Sequence, residues 1–162
     1  LGMGFPGGPA IDRAAEGGDP QAVRFPRALP DRPFDFSFSG LKTSVTTFVR
    51  THHRAGTLPP MADLAASLQE AIVDSLVSKT LNAVEATGAK AIGGGGGVLA
   101  NRRLRARLTE EAERRGLVLH LPSPALCTDN GAMIASAGVF RYRQGERTPL
   151  EAEVDSSLRL GV

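Results

Sequence analysis

Residues 93–97 are five consecutive glycines, and no helix or strand interior tolerates such a run, so the chain must cross this point as a loop of bare backbone. What flanks the run is regular. A short apolar stretch over 89–92 reads as a strand entering it. Asn101 then stands as an N-cap for a helix through Arg115, and Gly116 ends that helix. Residues 117–121 read as a second strand, 122–128 as a loop, and 130–143 as a helix. Strand, glycine loop, helix, strand, loop, helix is the order of an α/β lobe, whose ligand-binding loops lie at the C-terminal ends of its strands.

The N-terminal remainder is more varied. A helical pattern covers about 9–17, with Pro9 in its first turn, and the rest of 1–40 reads largely as loop. Phe34, Phe36 and Phe38 alternate with polar residues, which predicts a half-buried strand ending in a turn at Gly40. A helix is expected from Leu41 to about His53. Residues 61–87 carry the clearest helical signal, because Leu64, Leu68, Ile72 and Leu76 recur at i+4 and Ala65, Val73, Val77, Leu81 and Val84 widen the stripe; Gly88 stops it. The tail after Gly145 reads as irregular.

The 162 residues suffice for one medium domain or two small lobes. A net charge of only +2 imposes no global field that would require a nucleic-acid partner, although six arginines fall between Arg102 and Arg115. Their alternation with Glu110, Glu111 and Glu113 reads as a solvated helix face. A single cysteine, Cys127, permits no intrachain disulfide, so a reducing cytoplasm is the expected compartment. No apolar stretch is long enough for a membrane span. The opening Leu1-Gly2-Met3-Gly4 lacks an initiator methionine and any signal-peptide pattern, and reads as the start of a piece of a longer chain.

Two segments have the residue types for chemistry. A glycine loop opening a helix offers backbone N–H groups to a phosphate. Asp129, in Cys127-Thr128-Asp129-Asn130-Gly131, is an acid at a second helix start that, if buried, could hold a metal. Each has a plainer reading. The run lacks the Lys-Ser/Thr of a Walker A loop and the spacing of a Rossmann fingerprint, so it can be a simple turn. Asn101 can be only a helix cap, and Asp129 only a carboxylate favoured by a helix dipole. Cys127, without a histidine partner, reads as a small buried hydrophobe. His52 and His53 point to opposite sides of their element. Ser37, Ser39 and Lys42 sit at a junction where hydroxyls can satisfy backbone groups.

Four segments together shift this balance: Phe5-Pro6-Gly7-Gly8-Pro9, Asp35-Phe36-Ser37-Phe38-Ser39-Gly40-Leu41-Lys42-Thr43, Gly96-Gly97-Val98-Leu99-Ala100-Asn101-Arg102-Arg103-Leu104-Arg105 and Cys127-Thr128-Asp129-Asn130-Gly131-Ala132-Met133-Ile134-Ala135. In order and spacing they resemble the signature segments of the TsaD family, tRNA N6-adenosine threonylcarbamoyltransferases once called glycoproteases. The resemblance implies an ASKHA (actin-like ATPase) fold of two α/β lobes. This chain would be the C-terminal portion, with residues 1–60 as a connecting and inserted segment, 61–162 as the second lobe, and the first lobe absent.

The implied activity is transfer of threonylcarbamoyl from threonylcarbamoyl-adenylate to N6 of the adenosine 3′ of the anticodon, in tRNAs reading codons that begin with A. Carried over residue by residue, Gly8, Asp12, Gly96, Gly97 and Asn101 would contact the adenylate, and Asp129 would ligate one divalent metal, commonly iron. No catalytic residue is assigned. TsaB and TsaE are the implied bacterial partners.

Two departures bear on this. The His-x-x-x-His segment that supplies the family's other metal ligands is absent from this sequence, as is a further nucleotide-contacting aspartate expected just before Leu1, so the chain alone is expected to be inactive. Gly93, Gly94 and Gly95 also stand where relatives carry apolar strand residues, which predicts a looser edge. The rival readings are a non-catalytic actin-like nucleotide-binding module and a metallopeptidase. The absence of a His-Glu-x-x-His motif speaks against the latter.

Overall fold

The computed structural model describes residues 1–149 together with Glu151, Glu153 and Ser157, and the chain divides into two compact units, Leu1–Thr128 and Asp129–Val162. The first unit is built on one long helix. Helix α3, Met61–Thr87, has 27 residues and at 1.5 Å per residue is about 40 Å long. Gly88, in the left-handed conformation at φ 65°, ends it as expected.

Three apolar clusters form along α3. Near its start, Ala65 and Ala66 pack against Ala15, with Met3, Ile11 and Ala14 beside them; Ile11 and Ala14 lie on helix α1, Gly7–Ala14. Small side chains allow that close approach. It is closest at Gly18, where an added Cβ would fall 2.2 Å from the Ala62 carbonyl oxygen. The adjoining chain is tied down there: Asp19 N–H donates to Asp63 (2.8 Å), and Ser67 Oγ donates to the Asp19 carbonyl (3.1 Å) while accepting from Val23 N–H (3.0 Å).

The second cluster joins Leu64, Leu68 and Ala71 to Val23, Phe25 and Leu41. Leu41 belongs to helix α2, Ser39–Ala55, which closes on Gly56 at φ 68°. The third joins Val73, Val77 and Leu81 to Leu99, Leu104, Leu108 and Cys127. Cys127, 3 % exposed, is the small buried hydrophobe its isolation predicted.

Strands β1, Ala91–Gly93, and β2, Val118–His120, pair in parallel with Ile92 opposite Leu119. Helix α4, Arg102–Arg115, crosses between them and ends at Gly116 with φ 64°. Gly93 stays in the ladder opposite His120, and Gly94 N–H donates to the His120 carbonyl (3.0 Å). Gly94 is glycine for lack of room: a Cβ there would meet Leu99 Cδ1 at 2.4 Å and Leu121 Cδ2 at 3.0 Å. The second unit contains helix α5, Gly131–Arg143, whose N-cap Asn130 accepts from Met133 N–H. Residues 146–149 form no regular element, and the rest of the expected irregular tail lies partly outside the described residues.

One expected element does not form. Residues 34–38 are not a strand, and Ser39 and Gly40 already belong to the first turn of α2. Among the described residues no strand lies beside the segment to hydrogen-bond with it. The alternating phenylalanines therefore have no sheet to pack on. Phe34, Phe36 and Phe38 are exposed, and Phe36 and Phe38 stack on each other at 6.4 Å between centroids. The hydroxyls at this junction do not cap α2, whose N-cap position is Phe38.

A buried lysine holds the loop that precedes this segment. Lys79 on α3, 7 % exposed, donates to the carbonyls of Leu29 (3.0 Å) and Arg32 (2.5 Å), and Asn82 donates to the Pro33 carbonyl (3.2 Å). Leu29 adopts φ 56° in that loop. Among the described residues no helix is long and apolar enough to cross a membrane.

Candidate functional site

The glycine loop delivers the chain to a 3-10 turn, Gly97–Ala100, through Gly96 at φ 93°, a conformation that disfavours any side chain. Asn101 follows directly. Its Oδ1 accepts from Leu104 N–H at 2.9 Å, which makes it the expected N-cap of α4. Its Nδ2 donates twice, to Asp12 Oδ1 at 3.1 Å and to Gln69 Oε1 at 2.7 Å. One amide thus joins α1, α3 and the start of α4.

Asp12 is the hub on the α1 side. Besides the Asn101 amide, its Oδ1 accepts from Arg102 N–H (3.3 Å) and its Oδ2 from Arg102 Nε (2.9 Å). The Asp12 side chain is only 15 % exposed, whereas that of Arg102 is 57 % exposed. Arg102 also reaches the Asp12 carbonyl and Glu16. These carboxylates, Asp12 first, hold the Arg102 guanidinium above its ordinary range. Gly8 lies one turn before Asp12, in the first turn of α1, where backbone N–H groups have no intrahelical acceptor and no heavy atom stands within 4 Å of where a Cβ would be.

The expected site residues therefore divide by position. Asp12 and Asn101 are in direct hydrogen-bond contact, Gly8 shares α1 with Asp12, and Gly96 and Gly97 lead into Asn101. Asp129 belongs to the second unit. It is the residue before the Asn130 N-cap and is exposed, not buried. Among the described residues no group of three or more His, Cys, Asp or Glu side chains could hold a metal ion. His52 lies against Phe48 and Thr57, while His53 is exposed.

Gln69 and Arg102 are the members of the site that sequence reasoning missed. Gln69 carries one available signal, a polar residue set directly beside Leu68 in the apolar stripe of α3. The reading of the α4 arginines as a solvated face holds for Arg102 and Arg114, both exposed, with Arg114 paired to Glu111 of the same helix, but requires correction for Arg103 and Arg107. Arg103 makes a bidentate pair with Glu70 (2.8 and 2.9 Å), and Arg107 bridges Glu70 (2.7 Å) and Asp74 (3.1 Å). Arg27 reaches Asp74 from the other side (2.6 Å), and Arg115 pairs with Glu85 (2.6 Å). Charge-assisted bonding from Arg103 holds the Glu70 carboxyl below its usual range. The matched i,i+4 pairs Glu70/Asp74 and Arg103/Arg107 could have revealed this seam, because i,i+4 residues share a helix face.

Fold and site together define an α/β protein with a small parallel sheet, in which a glycine loop ends at an amide fixed by a carboxylate from an upstream helix. Comparison with known proteins narrows that class. The TsaD family, described as tRNA N6-adenosine threonylcarbamoyltransferase, matches residues 1–136. A protein of that name from Magnetococcus marinus is 53% identical over 148 residues, covering 91% of this chain and 42% of the relative. One from Symbiobacterium thermophilum is 46% identical over 164 residues, covering 100% of this chain and 47% of the relative. One from a Synechococcus species is 47% identical over 160 residues, covering 99% and 44%. The chain belongs to the TsaD family, and it spans less than half the length of these curated relatives.

Proposed function

We propose that this chain is the C-terminal, adenylate-contacting portion of an enzyme that transfers threonylcarbamoyl from threonylcarbamoyl-adenylate to N6 of the adenosine 3′ of the anticodon in tRNA. In that reaction a bond forms between N6 and the carbamoyl carbon, the bond from that carbon to the phosphate oxygen breaks, AMP leaves, and N6 loses a proton. The observation that carries the reading is the contact between Asp12 and Asn101, two residues 89 apart in sequence that the family resemblance independently nominates.

The residues present suit holding a nucleoside more than moving a proton. Among the described residues Asp12 Oδ2 accepts one hydrogen bond, which leaves a lone pair for a ribose hydroxyl. Gly8 and the glycines at 96 and 97 allow ligand atoms to approach backbone N–H groups without a Cβ in the way. Asn101, clamped by Asp12 and Gln69, fixes the exit of that loop relative to α1. No side chain of this chain is assigned as base or nucleophile.

In the same reading the fold is the second lobe of an actin-like (ASKHA) architecture, with residues 61–162 forming the lobe and 1–60 the connecting and inserted segment. Asp129 would give one carboxylate to a divalent metal, iron by family resemblance. The described residues do not complete such a centre, so no step is derived through it. TsaB, TsaE and a cytoplasmic setting belong to this proposal too.

The test uses the full-length protein. Calorimetry with a non-hydrolysable threonylcarbamoyl-adenylate analogue should show binding that Asn101→Ala weakens at least about tenfold, the effect of about 1.4 kcal/mol of lost contact. Mass spectrometry of tRNA nucleosides should show threonylcarbamoyladenosine that falls with Asp129→Ala. Full affinity in the first variant overturns the adenylate assignment, and undiminished modification in the second overturns the metal role.

A further inference from the structure

Helix α2 differs from α3 and α4 in carrying cations without carboxylates. Between Ser39 and Ala55 it contains Lys42, Arg50 and Arg54 and no Asp or Glu. All three cations are exposed, and among the described residues none has an ion-pair partner. By contrast Arg27, Arg102, Arg103, Arg107 and Arg115 are all bound to carboxylates. The helix thus presents cations without carboxylate partners along one face.

Lys42, Thr46, Arg50 and Arg54 recur at i+4, so they lie on one face and run about 18 Å along the helix axis. The opposite face, with Leu41, Val45, Phe48 and Val49, is committed to the core beside Phe25 and Leu64. At the N-terminal end of the stripe stand Phe36 and Phe38, 49% and 38% exposed and stacked with an interplanar angle of 16°. A membrane surface would need apolar side chains on the exposed face of the helix, and those of α2 pack against the core. Cations at 42, 50 and 54 on one face without intervening carboxylates, leading to exposed rings, match a phosphodiester backbone with an unstacked base at one end.

From this we infer that the exposed face of α2, with Phe36 and Phe38, is an RNA-docking surface: Lys42, Arg50 and Arg54 contact backbone phosphates and the ring pair receives an unpaired base. Which RNA binds there rests on the function proposed above, namely the tRNA that the enzyme modifies.

The experiment is fluorescence anisotropy of an unmodified tRNA transcript with the full-length protein at several salt concentrations. The K42Q/R50Q/R54Q variant should bind at least about tenfold more weakly at low salt. The slope of log affinity against log salt should fall by about 2–3, since each of the three lost phosphate contacts removes about 0.7–0.9. The charge-preserving K42R/R50K/R54K variant should retain affinity, and Thr46→Glu, which places an anion in the stripe, should weaken binding without removing any cation. Adenylate binding to each variant, measured by calorimetry, should stay at the wild-type level. Unchanged affinity and slope in K42Q/R50Q/R54Q overturn the inference, as does equal loss in the charge-preserving variant. A wild type that binds tRNA through this stripe yet forms no threonylcarbamoyladenosine refutes the proposed transfer and leaves the surface standing.

Discussion

Asn101 combines two roles that one pair of substitutions separates. Its Oδ1 caps α4 at Leu104 N–H (2.9 Å), and its Nδ2 supplies the donors to Asp12 (3.1 Å) and Gln69 (2.7 Å). Aspartate caps a helix as well as asparagine does, so Asn101→Asp keeps the first role and deletes the second. The lost donor to a carboxylate costs about 1.5–3 kcal/mol. Two like charges at the 3.1 Å spacing would repel by about 5 kcal/mol at an effective dielectric of 20. Arg102 on Asp12 and relaxation of the pair offset part of that, leaving a net loss of about 2–4 kcal/mol at pH 7.

The sign with pH follows. A neighbouring negative charge raises the folded-state pKa of the introduced carboxyl above its unfolded value of about 3.9. The bonding that its proton restores is therefore complete below that unfolded value and disappears as pH rises through the raised one. Urea denaturation should show Asn101→Asp clearly less stable than wild type at pH 7 and nearer to it at pH 4. Asn101→Ala, which loses cap and donors together, should show no such recovery. A deficit for Asn101→Asp that is the same at both pH values, or absent at pH 7, would refute this account of the amide.

Other substitutions probe the frame around the site. Gly18→Ala should destabilise by at least about 2 kcal/mol, because its Cβ would overlap the Ala62 backbone at 2.2 Å; Gly93→Ala, with open space, should change the denaturation midpoint little. Glu70→Gln removes the anion shared by Arg103 and Arg107 and should cost about 1–2 kcal/mol near neutrality. Since the folded Glu70 carboxyl lies below its unfolded pKa, its contribution is present above the unfolded value and lost as pH falls through the folded one, so wild type and variant should converge in acid. Cys127, 3 % exposed, should react with a thiol reagent only at the rate of local opening, and Cys127→Ala should cost about 1 kcal/mol in thermal denaturation.

What was legible in the sequence was set by local physics. The i+4 leucines of α3, the Asn101 cap and the stops at Gly88 and Gly116 are all decided within a turn or two of helix. The phenylalanine alternation misled because a strand needs a neighbour, and period two cannot say whether one exists. The α4 arginines misled for a related reason: their glutamates on the same helix suggested solvated pairs, whereas the partners of Arg103 and Arg107 lie on α3. Asp12 entered as a candidate only through family resemblance, whereas Asn101 was also marked by its place as the cap after the glycine loop. Nothing in their local sequence announces a contact made 89 residues apart.

That separation also has a consequence for when the site comes into existence. The β1–α4–β2 unit needs only contacts close in sequence, and such contacts form early because little loop entropy opposes them. The bond from Asn101 to Asp12 can close only after α1 has docked on α3 and α3 has received α4. A nascent or partly unfolded chain can therefore display the glycine loop and its cap while lacking the carboxylate that faces them. In the proposed function, ligand contact through Asp12 would read out completion of the fold, and an adenylate bound there would hold the N-terminal helix in place as much as that helix holds the adenylate.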